Sequence, residues 1–211
     1  MPTTLYYYGA QGRAQQIRYV LVEAEVAWED DKEAFPPSAE AKAKWKEAGG
    51  LNTTTNVPMI KTDDAVYTQS SAVLRQAARL GSNDLYPLDK AYEVDNMIAA
   101  VDDYRTTAYG VIFGAKSPEA TAAFKAKQNL HFSNFARMLG DKEFFCGEKL
   151  TIGDLTAFDI FNNFGFNLTP SAKADFPTLV AFMEKIAARP KIAEYMATEK
   201  FTGLMPFSCL E

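Results

Sequence analysis

The sequence predicts a small α/β unit followed by a unit built only of helices. Residues 4–8 (TLYYY) form a β-branched and aromatic run that Gly9 closes, and apolar residues then recur at helical spacing. Residues 81–89 (GSNDLYPLD) are rich in turn formers, and no strand pattern follows them. We therefore expect one domain over residues 1–80, a linker over 81–90 and a helical domain over 91–211.

The first unit is expected to have the order β-α-β-α-β-β-α. The strand over 4–8 leads into a helix, and a second strand over 26–30 should lie parallel to the first because right-handed βαβ crossovers are the default. A short helix over 39–47 precedes a hairpin of strands 57–61 and 65–68. Ser70 or Ser71 then caps a helix that ends near Leu80.

The second unit is expected to open with two long helices. The first runs from Ala91 to about Gly114, and Pro118 opens the next. Thr151 and Asp154 have the spacing of a capping box, and the mostly apolar segment 155–166 that follows should form a buried helix. Two further helices are expected to start at favoured proline positions, Pro177 and Pro190.

Composition and charge exclude several classes of function. The 211 residues carry a net charge of −5 with no long basic block, which argues against nucleic acid as a partner. Apolar runs fall short of the ~20 residues of a membrane helix, and the start lacks a secretory signal pattern. Two distant cysteines, Cys146 and Cys209, favour a reducing compartment, and the lone His131 argues against a histidine metal site. We therefore expect a cytoplasmic protein without a metal or a membrane partner.

Five stretches of this chain, in their order and spacing, resemble one protein family. They are LYYYGAQGRAQQIRYVL, NVPMI, YTQSSAVLRQAARLG, YEVDNMIAAVDDY and KLTIGDLTAFDI. The chain resembles a cytosolic glutathione S-transferase of the Tyr-type classes, and is most similar to the sigma class, over essentially its whole length. The resemblance implies a thioredoxin-like domain that binds glutathione, a helical domain that contributes the electrophile pocket, and a homodimer without metal.

The resemblance assigns the chemistry to Tyr7, with Arg13 in support. Glutathione's thiol ionises near the pKa of a free cysteine, about 8.5, and only the thiolate is a nucleophile. Lowering this pKa by ~2 units takes about 2.7 kcal/mol, and one charge-assisted hydrogen bond supplies roughly 1.5–3 kcal/mol. A Tyr7 hydroxyl directed at sulfur would supply most of this. Strand alternation sends Tyr6 and Tyr8 to the opposite side.

The same resemblance implies the contacts to the rest of glutathione. Asn56 and Val57 precede a cis-proline site at Pro58, where the backbone of Val57 would pair with the cysteinyl residue. The other implied ligand contacts are Gln69 and Ser70 for the γ-glutamyl end, Trp45 with Lys46 or Lys42 for the glycyl end, and Asp103 or Asp102 for the neighbouring subunit's ligand. Ordinary structural roles are the alternatives to these ligand contacts. Ser70 would then only cap the helix, and Arg13 would be a solvated charge at the helix start.

The second substrate would lie against the helical unit. Candidate pocket residues are Tyr8, Tyr104, Phe161 and Phe207, although aromatic residues on helices are more often core than pocket. The sequence therefore favours an enzyme that conjugates glutathione to small hydrophobic electrophiles. The alternatives are a non-catalytic ligand-binding or structural relative, similar to the lens crystallins of this family, and a glutathione-dependent isomerase.

Overall fold

The computed structural model describes residues 2–49, 56–81, 84–114, 117–208 and 210, and the chain divides into two compact units. The first comprises Met1–Tyr86 together with Pro190–Pro206, and the second comprises Pro87–Arg189 together with Phe207–Glu211. The predicted boundaries place residues 190–206 in the helical unit, whereas in the structure they pack on the first unit. Tyr195 explains this difference, because its ring lies edge-on to Tyr19, with the ring centroids 5.9 Å apart, and is 5% exposed.

The first unit contains a four-stranded mixed sheet in the order β2-β1-β3-β4. β1 runs parallel to β2 and antiparallel to β3, and β3 runs antiparallel to β4. Its strands and helices are β1 (Thr3–Tyr8), α1 (Gln15–Glu23), β2 (Trp28–Glu33), α2 (Ala39–Gly49), β3 (Met59–Lys61), β4 (Val66–Tyr67), α3 (Ser70–Leu80), α8 (Pro190–Ala197) and α9 (Glu199–Thr202), with a 3-10 turn at Gly12–Ala14. The predicted order of the elements up to α3 is confirmed, and β2 lies slightly later in the chain than predicted.

Strand β1 is one of the two inner strands of the sheet, and the burial of its side chains alternates. Thr3, Leu5 and Tyr7 are buried, whereas the residues between them are half-buried. Helix α1 packs against α3, and its Ile17, Val20 and Leu21 are fully buried. This alternation keeps Tyr7 on the opposite side of the strand from Tyr6 and Tyr8, as the sequence predicts.

The regular elements among the described residues of the second unit are all helices. Its elements are α4 (Ala91–Ile112), α5 (Pro118–Leu139), α6 (Ile152–Asp159) and α7 (Pro177–Ala187), with 3-10 turns at Leu88–Lys90 and Pro170–Ala174 and a π-helical segment at Ile160–Gly165. Both predicted proline starts, Pro177 of α7 and Pro190 of α8, are confirmed. None of the helices in the described part of the chain is long and apolar enough to cross a membrane.

The predicted capping box at the start of α6 is confirmed. The Thr151 N–H and hydroxyl donate to Asp154 Oδ2 at 2.9 and 2.8 Å, and the Phe145 N–H donates to Asp154 Oδ1 at 2.7 Å. Burial raises the pKa of Asp154, and these bonds oppose the rise. The carboxylate therefore joins the preceding loop to the amino end of the most buried helix of this unit.

The predicted helix over 155–166 differs in its second half. Helix α6 ends at Asp159, and the next turn is widened to the π form, in which the Phe166 N–H donates to the Phe161 carbonyl at 2.8 Å. A buried ion pair lies at this junction, because Arg105 Nη2 donates to Asp159 Oδ2 at 3.1 Å. Asn163 in the widened turn also donates to Asp159. The Asp159 carboxylate therefore binds one residue of α4, Arg105, and one residue of the π-helical turn.

Candidate functional site

Tyr7 carries the most specific geometry in the first unit. Its hydroxyl oxygen accepts a hydrogen bond from the backbone N–H of Arg13 at 3.0 Å. The hydroxyl oxygen is the acceptor in this bond, and a phenol also carries one O–H donor. The Arg13 side chain is half-buried in the same 3-10 turn. The structure therefore brings the two predicted catalytic residues into direct contact through the main chain of Arg13.

Gly12 makes this approach possible. Its φ of +41° lies in the left-handed region, and a Cβ atom there would stand 2.5 Å from the Tyr7 hydroxyl oxygen and 2.9 Å from Cε1 of the ring. A side chain at this position would therefore displace the phenol as well as strain the backbone. The spacing from Tyr7 to the Gly12–Arg13 pair is thus set by a close packing contact.

The sheet register gathers the predicted motifs at one edge of the sheet. Tyr6 pairs with Met59, so the antiparallel step that follows places Tyr7 beside Pro58. Ile60 pairs with Tyr67, and β4 therefore ends at the same edge, just before Gln69. The carboxyl ends of β1 and β4 and the amino end of β3 thus meet there.

Two residues at this edge have unusual backbones. The Val57–Pro58 peptide bond is cis, as predicted, with Asn56 exposed, Val57 half-buried and Pro58 buried. Gln69 has φ +70° and ψ 110°, a conformation that residues other than glycine rarely adopt. Such an outlier occurs most often at ligand sites, where the surrounding structure holds it in place.

The amino end of α3 differs from the prediction. Gln69 and not Ser70 or Ser71 occupies the capping position, and no side chain caps the helix there. Ser70 is the first helical residue and is half-buried. Since the first amides of a helix attract anions, this end of α3 suits a carboxylate.

An aromatic group adjoins Tyr7. The ring of Tyr8 lies edge-on to the rings of Tyr7, Phe35 and Trp45, with centroid distances of 4.9, 5.0 and 5.3 Å. Burial raises the pKa of the Tyr8 phenol. Trp45 is only 5% exposed, and its indole Nε1 has no hydrogen-bond partner within the described part of the chain. A buried donor in that condition is uncommon in native structures.

Three lysines lie close to Trp45 on α2. One of them, Lys44, forms ion pairs within the protein and was not a predicted ligand contact. Lys44 Nζ lies 2.7 Å from Asp31 Oδ1 and 2.7 Å from Glu33 Oε1, and these carboxylates raise its pKa. Lys42 and Lys46 are both exposed on α2. The geometry therefore leaves both predicted candidates open and commits Lys44 to the edge strand β2.

Arg18 is a feature of this site that sequence reasoning missed. Its guanidinium is fully buried and forms a two-point contact with Asp30, at 3.0 and 3.3 Å. It also donates to the carbonyls of Tyr8, Ala10 and Gln11. The arginine thus holds the turn between Tyr7 and Arg13 from the α1 side. Its position in IRYVL, among apolar residues, was the available signal.

The second unit contains the remaining candidates. Asp103 is exposed, whereas Asp102 accepts a bond from Arg105 at 2.8 Å, which favours Asp103 for the predicted ligand role. Tyr104 and Phe161 are fully buried, and the Tyr104 hydroxyl donates to the Phe164 carbonyl at 2.7 Å.

Phe207 differs from these two because it is half-buried. Its ring lies 4.9 Å from the ring of Phe164 and 6.2 Å from those of Tyr109 and Phe113. Phe113 is itself exposed. Of the predicted pocket residues in this unit, Phe207 is thus the one with ring surface at an aromatic patch, and we keep it as the candidate. Among the described residues, His, Cys, Asp and Glu side chains form no group that could hold a metal ion.

Two family models match the chain in sequence. The model for the glutathione S-transferase N-terminal domain matches residues 2–79, and the model for the glutathione S-transferase C-terminal domain matches residues 102–199. Together they span most of the chain.

Curated proteins and a solved structure are similar over nearly the full length. Glutathione S-transferase P 1 of Xenopus laevis is 27% identical, over 92% of this chain and 92% of its own. Glutathione S-transferase Mu 2 of Mus musculus is 27% identical, over 95% of this chain and 93% of its own. A structure described as rat hPGDS complexed with a quinoline has the same fold, with a TM-score of 0.75 at 22% identity, over 93% of this chain and 96% of that one.

Proposed function

The chain belongs to the glutathione S-transferase family, and from that premise we propose that Tyr7 stabilises the thiolate of bound glutathione for transfer to small hydrophobic electrophiles. Membership makes it a glutathione transferase, with glutathione as co-substrate. The Tyr-type mechanism, the sigma-like class, the electrophiles and the assignment of each residue belong to the proposal.

The bond between Arg13 N–H and the Tyr7 hydroxyl carries the proposal. A phenol that accepts a bond from a fixed amide becomes a stronger donor through its own proton, because the two bonds polarise each other. The Arg13 side chain adds positive charge beside the same turn. This arrangement supports a hydroxyl that donates to an anionic sulfur.

In this proposal, residues at the edge of the sheet and on α2 bind the rest of glutathione. The backbone of Val57 pairs with the cysteinyl residue, with Asn56 and Pro58 on either side of it. Gln69 and Ser70 hold the γ-glutamyl carboxylate at the uncapped start of α3. Trp45 Nε1, with Lys46 or Lys42, binds the glycyl carboxylate.

The electrophile and the partner subunit complete the proposal. Tyr8 is the aromatic contact for the electrophile in the first unit, and Phe207 is the candidate in the second. Tyr104 and Phe161 are fully buried, and we do not propose them as contacts for the electrophile. We expect a cytoplasmic homodimer in which Asp103 reaches the neighbour's ligand, and sedimentation analysis of the purified protein would test that assembly.

Titration of the bound thiol tests the mechanism directly. The thiolate absorbs in the ultraviolet, so absorbance of the enzyme–glutathione complex against pH gives the thiol pKa. We expect a value about 2 units below the 8.5 of a free thiol. A value equal to that of free glutathione would exclude thiolate stabilisation, and an absence of conjugation with any aryl halide, enone or peroxide would favour a ligand-binding protein.

Replacing Trp45 by Phe should weaken glutathione binding about tenfold, the usual effect of losing one hydrogen bond to a charged group. The aromatic packing against Tyr8 is kept, and the substitution removes the buried indole N–H, which has no partner in the part of the chain that the structure describes. Stability without ligand should therefore change little. Calorimetric titration measures the dissociation constant. Trp28→Phe is the matched control, because the Trp28 ring lies under Lys200 at 4.5 Å and should affect stability without affecting glutathione. An unchanged constant for Trp45→Phe removes this residue from the site.

A further inference from the structure

The chain segment after α8 and α9 returns to the turn that follows Tyr7. Lys200 at the base of this segment donates to the Trp28 carbonyl at 3.1 Å, and Gln15 on α1 donates to the Tyr195 hydroxyl at 3.4 Å. Thr202, at the end of α9, precedes Met205 by three residues. The segment is thus anchored to β2 and α1 before it reaches the site.

Met205 forms a short parallel bridge with the turn through its backbone alone. Its N–H donates to the Gly9 carbonyl at 2.9 Å, and its carbonyl accepts from the Gln11 N–H at 3.3 Å. The side chain is 53% exposed. The bridge therefore depends on the main chain at this position and not on the identity of the side chain.

The bridge reaches the Tyr7 hydroxyl through one short peptide. Gln11 is the residue from which the 3-10 turn Gly12–Ala14 starts, and its carbonyl accepts from the Gln15 N–H at 2.9 Å. Arg13, two residues later, directs its N–H at the Tyr7 hydroxyl. Arg18 holds the turn through the Ala10 and Gln11 carbonyls. Met205 supplies the Gln11 amide and the Gly9 carbonyl with partners that Arg18 does not provide.

We propose that the backbone of Met205 is a positioning element for the thiolate site: it fixes the turn 9–11, and thereby the Arg13 amide that orients the Tyr7 hydroxyl. This inference rests on the proposed role of Tyr7. It predicts that a change near the carboxyl end of the chain alters the ionisation of the glutathione thiol without a contact to glutathione.

The test compares two full-length variants at one position. Met205→Pro removes the N–H that donates to Gly9, whereas Met205→Ala keeps the backbone and removes only the side chain. We expect Met205→Pro to raise the pKa of bound thiol by about one unit, which is tenfold less thiolate at a pH below that pKa. Hydrogen exchange of the Arg13 amide should become about tenfold faster. Met205→Ala should match the wild type in both measurements.

Each possible result either supports or contradicts the proposed role of the Met205 backbone. If Met205→Pro lowers only the midpoint of unfolding and leaves the thiol pKa and the Arg13 exchange unchanged, the bridge is merely structural and the inference is wrong. Should Met205→Pro fail to fold, chains ending at Leu204 and at Pro206 make the same comparison, since only the longer one keeps the bridge. A wild-type thiol with an ordinary pKa contradicts the role of Tyr7 instead, and the exchange of the Arg13 amide still tests the coupling.

Discussion

Replacing Tyr7 by Phe is expected to lower kcat/KM for conjugation about 100-fold near pH 6.5. The ring and its packing with Tyr8 are kept, and only the hydroxyl is lost. The thiolate then loses one charge-assisted hydrogen bond, about 2.7 kcal/mol of preferential stabilisation. The initial rate of conjugation of a chromogenic aryl halide measures this loss.

The pH profile separates this mechanism from a loss of glutathione affinity. With the hydroxyl gone, the pKa read from kcat/KM should return toward 8.5, so the variant should regain rate as the pH is raised. Tyr6→Phe is the matched control, because Tyr6 precedes Tyr7 on β1, lies on the other side of the strand and should leave the profile unchanged. Equal rates for wild type and Tyr7→Phe would remove Tyr7 from the mechanism.

The second large effect concerns stability. Replacing Asp154 by Ala should reduce the free energy of unfolding by about 3 kcal/mol, because two backbone amides and the Thr151 hydroxyl lose their acceptor in a buried place. With a urea dependence of about 2 kcal/mol per M, the midpoint should fall by about 1.5 M. Circular dichroism at the helical band follows the transition.

An exposed carboxylate in the preceding loop provides the control for this variant. Asp141→Ala removes the same charge from the surface and should change the free energy of unfolding by no more than about 0.5 kcal/mol. If Asp154→Ala unfolds at the same urea concentration as Asp141→Ala, the capping carboxylate does not stabilise α6. This comparison measures stability alone and needs no assay of glutathione conjugation.

Much of this architecture was predictable because its signals are local. The Thr151–Asp154 box, the proline helix starts and the alternation of β1 depend on residues close together in the chain. The cis Val57–Pro58 bond was predictable only through the family resemblance. The order of the elements in the first unit followed from the change between the two hydrophobic periods.

The features that escaped prediction depend on contacts between distant parts of the chain. Arg18 is an ordinary helix arginine until the fold encloses it with Asp30 and the carbonyls of the turn. The π-helical turn follows Asp159, whose carboxylate pairs with Arg105, 54 residues away. The unusual φ of Gln69 and the Trp45 indole, which has no hydrogen-bond partner among the described residues, are likewise fixed by tertiary packing, which no periodic pattern reports.

Residues 190–206, which the sequence analysis expects in the helical domain, cluster with the first compact unit for a related reason. Helical spacing shows that α8 has an apolar face with Ile192 and Tyr195, but it does not identify the surface that the face covers. In the structure this surface is formed by Tyr19 and Trp28. The sequence does show these two aromatic residues, in the middle of α1 and at the start of β2, but no local pattern links them to α8.

The interrupted path of the chain through the first unit has a consequence for its biosynthesis. Residues 190–206 leave the ribosome more than a hundred positions after β4, the last strand of the sheet. Domains otherwise fold as units in the order of their synthesis. Here Tyr19 and Trp28 stay uncovered in the nascent first unit until residues 190–206 have been synthesised. Chaperone binding to stalled chains that end before Pro190 should therefore exceed binding to chains that include α9.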